Sequence, residues 1–189
     1  YFGLDPNPEV FEKYPKQQEL YGTKKPTTFI CKPAEDFDFS NEKFDMVFTS
    51  PPYFHVERYS FGQNEETQSW KRYGKSMDNW LEGFLYPALE GCWNALNDGG
   101  TMIINIADVH AAEKGKNVYL QICDPMNDYM NTFDDAEYVE CFGMEMAKRP
   151  NCIGIGNAKV TDETNRKEEF IIEKEGNTFA EPVWVWKKR

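Results

Sequence analysis

The residues best suited to chemistry are Ser50-Pro51-Pro52-Tyr53, which follow directly on an apolar run, Phe44-Asp45-Met46-Val47-Phe48-Thr49. Proline has no N–H and its φ is fixed near −65°. Pro51-Pro52 therefore makes a stiff loop with an outward carbonyl beside the Ser50 hydroxyl. Ser50 Oγ and the Pro51 carbonyl can accept the two N–H groups of a single amino group. An amino nitrogen on an aromatic ring is a poor nucleophile, because its lone pair is delocalised into the ring. Two acceptors that hold its hydrogens out of the ring plane localise that pair. Such acceptors lower a barrier only when already in place, and the two prolines supply that stiffness. Tyr53 can stack on a base that has left its duplex, which offsets part of the few kcal/mol that flipping costs. The alternative for Tyr53 is a ring packed in the core behind a rigid loop.

A loop of this kind needs elements to hold it. The chain has 189 residues, enough for one domain with a core, and 14 Phe, 10 Tyr and 5 Trp to fill it. No apolar run approaches the ~20 residues that span a bilayer, and no signal peptide is visible. Cys31, Cys92, Cys123, Cys141 and Cys152 are an odd, dispersed set. They point to reduced thiols in a cytoplasmic compartment. No CxxC pair exists and His55 and His110 stand apart, so no metal site is expected.

The net charge of −11 works against nucleic-acid affinity, which rests on phosphate contacts. The basic residues are nonetheless clustered. Arg58, Lys71, Arg72, Lys148 and Arg149 are the candidate phosphate contacts, with Lys75 beside them; Lys187-Lys188-Arg189 reads as solvated surface.

Residues 1–4 read as a strand end. Asn7-Pro8 reads as a helix N-cap and first-turn proline, with helix towards Tyr21, a break at Pro15 and a stop at Gly22. Residues 27–31 and 44–49 are short buried strands. Residues 54–75 form a long polar and aromatic excursion, a pattern that is usually functional or mobile. Trp80, Leu81, Phe84, Leu85, Ala88, Leu89, Cys92, Trp93 and Leu96 recur at helical spacing and predict a helix over 76–96. Asn97-Asp98-Gly99-Gly100 ends it. Residues 101–107 are a strand, 117–132 a helix with a kink at Pro125, and 137–146 and 182–186 two more strands. Between those two lies a charged, poorly patterned stretch, 151–177. Strands alternating with helices predict an α/β sheet, mostly parallel. The pair 137–146 and 182–186 should add an antiparallel hairpin at one edge, with Ser50 to Tyr53 at the carboxyl ends of the parallel strands.

Ser50-Pro51-Pro52-Tyr53 resembles the catalytic loop of S-adenosylmethionine-dependent DNA amino-methyltransferases, and the order of the other pieces is similar to that family along nearly the whole chain. Tyr1-Phe2-Gly3-Leu4-Asp5 resembles the end of the family's second strand. The resemblance makes Asp5 the carboxylate that binds the cofactor's ribose hydroxyls; the alternative is a helix-capping carboxylate. Ala34-Glu35-Asp36 resembles the loop that contacts the cofactor's adenine. Pro33 stands where an acid often sits, so contact would come from backbone, Glu35 or Asp36. Tyr59 and Gln68-Ser69 resemble the pattern of several cytosine amino-methyltransferases. Leu96 to Asp108 and Glu181 to Lys187 resemble the fifth and terminal strands.

The resemblance implies a Rossmann-like methyltransferase fold, S-adenosylmethionine as cofactor, and duplex DNA with a flipped base as partner. The target would be the exocyclic amino group of cytosine or adenine, with cytosine favoured. Ser50, Pro51, Pro52 and Tyr53 would be catalytic. The family's glycine-rich cofactor loop, and the first strand that carries it, have no counterpart in the sequence. The expectation is a single catalytic domain over 1–189, amino-terminally incomplete, with a notch between residues 1–4 and 44–49. Two other readings stand beside this one. One is a related enzyme acting on RNA or on a protein glutamine; the other is a non-catalytic relative that serves as a binding module.

Overall fold

A computed structural model of the chain describes residues 1–22, 25–56, 65–74, 76–113, 116–145, 171–172 and 178–189. The chain opens with β1 (Phe2–Leu4), α1 (Pro8–Phe11), α2 (Tyr14–Tyr21) and β2 (Thr28–Ile30). A 3-10 turn at Ala34–Asp36 leads to β3 (Phe44–Thr49). Asn7 caps α1, its side chain accepting from Glu9 N at 3.0 Å. The helical stretch breaks at Glu12-Lys13, and Pro15 falls in the first turn of α2, where its missing N–H costs nothing.

After α3 (Ser69–Arg72) comes the longest helical stretch. It consists of α4 (Met77–Trp80), a π-helical turn at Leu81–Leu85, and α5 (Tyr86–Asn94). The π turn has a cause in Pro87. In a continuous α-helix its ring would strike the Gly83 carbonyl four residues back. The chain widens instead, and Tyr86 N–H donates to the Leu81 carbonyl, five residues back. Gly83 and Gly91 each cost such a helix about 1 kcal/mol. Trp80, Leu85, Leu89 and Trp93 are all 2% exposed or less. Each contributes about 1.5–3 kcal/mol by burial, so packing outweighs propensity.

The remaining elements are β4 (Leu96–Asn105), β5 (Val109–Glu113), β6 (Lys116–Leu120), α6 (Cys123–Met130), β7 (Ala136–Glu145), β8 (Ile171–Ile172) and β9 (Thr178–Lys188). The order β3-β4-β9-β7 makes the main sheet, and β8 pairs with β9. β3 is parallel to β4, and β9 is antiparallel to both β4 and β7. Three of the four strands therefore run one way, and β9 alone runs against them, giving the expected hairpin at the β7 edge. Val47, Met102 and Trp186 form one row across the sheet, and Thr49, Ile104 and Trp184 the next. Met102, Ile104 and Trp186 are at most 1% exposed, and join the helical tryptophans in the core.

Several elements differ from the sequence expectation. β4 begins at Leu96, which pairs with Phe44; the ladder then skips to Met46 opposite Thr101. Asn97 to Gly100 bulge out between them, with Gly99 at φ 77°, a conformation only glycine takes without strain. Residues 117–132 are not one helix. β6 pairs with β5 as a hairpin, and α6 begins only at Cys123. Pro125 lies in its first turn and makes no kink. Asp108 fixes this start by accepting from Ile122 N at 2.6 Å and Cys123 N at 2.8 Å. β9 is longer than the expected 182–186. Nearly all of 151–177 lies outside the described residues.

β1 and β2 form a separate parallel pair. Among the described residues no ladder joins them to β3, although the Phe2 and Phe44 rings lie 5.4 Å apart. The expected notch between 1–4 and 44–49 is present as this break. It leaves β3, expected as a buried strand, as an edge of the main sheet, with Met46 and Phe48 61% and 62% exposed. Among the described residues no helix is long and apolar enough to cross a membrane.

Candidate active site

A cavity of about 470 Å³ opens where β1, β2 and β3 end. Open α/β sheets bind ligands at this end of their strands, and the volume suits a small molecule. Leu4 to Asn7 line it from β1, Pro33 to Glu35 from β2, and Thr49 to Pro52 from β3. Thr67 to Trp70 and one face of the helix (Phe84, Leu85, Ala88, Leu89, Cys92) complete the wall. The helical face is apolar. Burial pushes the Cys92 thiol up to about 12, so it sits there as an apolar group and not as a nucleophile.

The polar groups enter from the strand ends. Asp5 accepts from Asn7 N at 2.8 Å and from the Tyr14 hydroxyl at 2.5 Å. Tyr14 is in turn stacked on Phe29 with centroids 4.4 Å apart, so the Asp5 carboxylate is held from two sides. Glu35 has a side chain only 3% exposed. Its Oε1 accepts from the Tyr73 hydroxyl at 3.1 Å and meets Arg72 Nη1 at 3.2 Å. Burial raises its carboxyl above the ordinary value, against the opposing pull of the Tyr73 bond and the Arg72 charge. Arg72 Nη2 reaches Asp36 at 2.5 Å. Gln68 and Ser69 are buried polar residues; Gln68 Oε1 accepts from Trp70 Nε1 at 3.1 Å, and Ser69 Oγ from Trp80 Nε1 at 3.0 Å.

The loop after β3 carries strain. Phe54 has φ 51°, which for a bulky side chain costs of order 1–3 kcal/mol. Its ring is 2% exposed and packs edge-on to Trp80 at 5.7 Å, and that burial holds the conformation. Phe54 N donates to Pro52 O at 2.9 Å, and Val56 N to Tyr53 O at 3.1 Å. The chain thus turns sharply just past the prolines, leaving Ser50 exposed on the cavity wall.

No family model and no curated protein matches the sequence. Solved structures match it in fold. A methyltransferase homolog protein from Pyrococcus horikoshii superposes with a TM-score of 0.54 at 13% identity, over 100% of this chain and 53% of its own. N-methyltransferase NodS from Bradyrhizobium japonicum, in complex with S-adenosyl-L-homocysteine, gives 0.50 at 8% identity, over 99% of this chain and 65% of its own. A putative rRNA-methylase from Clostridium thermocellum gives 0.50 at 10% identity, over 100% of this chain and 74% of its own. This is the Rossmann-like methyltransferase fold. The chain spans between about half and three quarters of these proteins' lengths.

Within the methyltransferase fold the residues singled out in the sequence divide into three groups. Asp5, Glu35, Ser50, Pro51 and Pro52 line one cavity. Asp36, Tyr53 and Arg72 depart from the expectation. Asp36 is not on the cavity wall; its carboxylate is turned to Arg72. Tyr53 is 7% exposed, sits in the core cluster, and places its hydroxyl 3.4 Å from Glu181 Oε2. Its ring is not offered to a base in this conformation. Arg72, read as a phosphate contact, lies between two carboxylates that take up its charge. Lys71 keeps an exposed side chain, 4.0 Å from Glu65. The third group, Arg58, Tyr59, Lys75, Lys148 and Arg149, lies outside the described residues. Sequence reasoning missed Tyr73, Gly83 and Phe54. Gly83 alone carried a signal, as a glycine inside a strongly periodic helix. A Cβ there would fall 2.2 Å from Tyr73 Cδ1.

Proposed function

We propose that the chain is an S-adenosylmethionine-dependent methyltransferase acting on an exocyclic amino group of a DNA base, cytosine or adenine. One observation carries the reading. Ser50-Pro51-Pro52, the residues suited to orient an amino group, share a cavity with Asp5 and Glu35, the carboxylates suited to a nucleoside. The cavity fits the cofactor's chemistry: apolar walls from Leu4, Val10, Phe84 and Leu89 for a flat ring, and carboxylates at one side for hydroxyl or amino donors. When bound, S-adenosylmethionine supplies a methyl group on a sulfonium, ready to pass to a nucleophile.

The residues of this chain that line the cavity have separate parts in that transfer. Asp5, braced by Tyr14, accepts from ribose hydroxyls. The backbone at Pro33 and Ala34 flanks the base of the nucleoside. Ser50 Oγ and the Pro51 carbonyl accept the two hydrogens of the target amino group and turn its lone pair towards the cofactor side of the cavity. As the new N–C bond formed and the methyl–sulfur bond broke, the positive charge would pass from sulfur to the amino nitrogen, where the Ser50 and Pro51 acceptors would stabilise it until one of its hydrogens left as a proton to solvent water. The fold alone hosts many substrates, so the substrate rests on the loop.

The experiment is transfer of labelled methyl from S-adenosylmethionine to duplex DNA, RNA and protein in parallel. Label on the DNA amino group, reduced about 10²–10³-fold by Ser50→Ala with cofactor affinity nearly unchanged, is the expected result. Label on RNA or protein instead reassigns the substrate. Transfer by Ser50→Ala at the wild-type rate removes the loop from the chemistry.

A further inference from the structure

We propose that Arg72 and Tyr73 are positioning residues that lock the loop after β2 to the segment that follows the catalytic loop, so that the nucleoside side of the cavity is set from its acceptor side. The inference rests on the cofactor site proposed above.

The observations converge on one short segment. Its first part, Thr67 to Trp70, lines the cavity. Its second part grips the Ala34–Asp36 turn, whose Ala34 and Glu35 also line the cavity. The Arg72 guanidinium bridges two carboxylates of the Ala34–Asp36 turn, at 3.2 Å to Glu35 and 2.5 Å to Asp36. The Tyr73 hydroxyl reaches the same Glu35 oxygen at 3.1 Å, and its ring lies 5.3 Å from the guanidinium. Behind it the ring rests on Gly83 of the π turn, with no room for a Cβ. The Ala34–Asp36 turn and the 67–74 segment thus meet at one planar fork, which a lysine, a point charge on a flexible stem, cannot reproduce, and the π turn backs the Tyr73 ring beside it. Arg72 is a poor phosphate contact in this setting, because a phosphate would have to displace two carboxylates already bonded. Glu35 faces Arg72 and Tyr73 from one element and Asp36 from its own turn.

Hydrogen exchange on the unliganded 189-residue chain tests the lock without any cofactor. Arg72→Ala should speed amide exchange on the order of fivefold in both 34–37 and 67–74, with Arg72→Lys between it and wild type. Faster exchange in neither segment, or in only one, overturns the lock. Titration with S-adenosyl-L-homocysteine tests its consequence. Arg72→Ala and Tyr73→Phe should each weaken affinity on the order of fivefold, and in Arg72→Ala any pH transition in affinity should move upward, because Glu35 loses the cation that favours its charged form. The salt slope of nucleic-acid binding should not change. A slope lower by about one with cofactor affinity intact would make Arg72 a phosphate contact and overturn the proposal. Failure of the wild-type chain itself to take up S-adenosyl-L-homocysteine would strike the proposed function, and the exchange result would still decide the lock.

Discussion

Replacing Gly83 by alanine should destabilise this protein, although alanine is the better helix former. A Cβ on Gly83 would lie 2.2 Å from Tyr73 Cδ1, 2.7 Å from Cε1 and 2.8 Å from Cγ, closer than real Cβ contacts come. The ring must therefore move. It is not a loose end, since its hydroxyl bonds Glu35 at 3.1 Å and Arg72 lies over its face. Moving it forfeits a hydrogen bond to a charged group, worth about 1.5–3 kcal/mol, or compresses the packing at about 1–3 kcal/mol. Against this, glycine to alanine in a helix gains about 1 kcal/mol. The net expectation is a loss of about 1–2 kcal/mol. In a Tyr73→Ala background the obstacle is gone, and the same substitution should gain about 0.5–1 kcal/mol. Urea denaturation of the four proteins closes a double-mutant cycle, with an expected coupling of about 2 kcal/mol. Stabilisation by Gly83→Ala in both backgrounds would refute the reasoning, because it would mean that Tyr73 yields without cost.

Three further outcomes follow from the same contacts. Glu35→Gln should flatten part of the pH dependence of stability. Burial holds the Glu35 carboxyl above its ordinary value of 4.5, so its contribution is full below that value and is lost as pH rises through the raised one. Thermal melts at successive pH should show the wild type losing more stability over that interval than the variant, and equal losses would count against a buried Glu35 carboxyl. Tyr53→Ala should cost about 3–5 kcal/mol as a core truncation and Tyr53→Phe about 0.5–1.5 kcal/mol for the Glu181 bond; a Tyr53→Ala protein that melts normally yet binds nucleic acid poorly would restore the ring as a base platform. Asp135→Ala should cost about 1–3 kcal/mol, because Trp93 is 1% exposed and its indole N–H donates to Asp135 at 2.8 Å. Asp135→Asn keeps an acceptor and should recover most of that loss in denaturant titrations.

What could be read from the chain beforehand was what depends on local pattern. The stripe from Trp80 to Trp93 made a buried helix certain from spacing alone, and the apolar run ending in Ser50-Pro51-Pro52 placed the loop at a strand's carboxyl end. Where the reading failed, a partner distant in sequence decided. Residues 117–120 became a strand because 109–113 pair with them, and α6 starts at Cys123 because Asp108 satisfies its first N–H groups. Arg72 read as a phosphate contact until two carboxylates more than thirty positions earlier took it up. The turn at Phe54 broke a local rule against positive φ, and no pattern in the chain announces a strain that only tertiary burial sustains.

The place of β9 between β4 and β7 has a consequence for how the protein is made. Both flanking strands leave the ribosome before residues 178–188 exist, at some 5–20 residues per second. Through that interval β4 and β7 each carry an open edge, and the core lacks Trp186, which is 1% exposed once folded. Pairing Met102 with Trp186 closes a long loop, the kind of contact that forms slowly. The nascent chain is thus most open to pairing with its neighbours just before β9 arrives, and overexpression should meet this aggregation hazard during synthesis, in addition to the edge that β3 leaves in the finished protein.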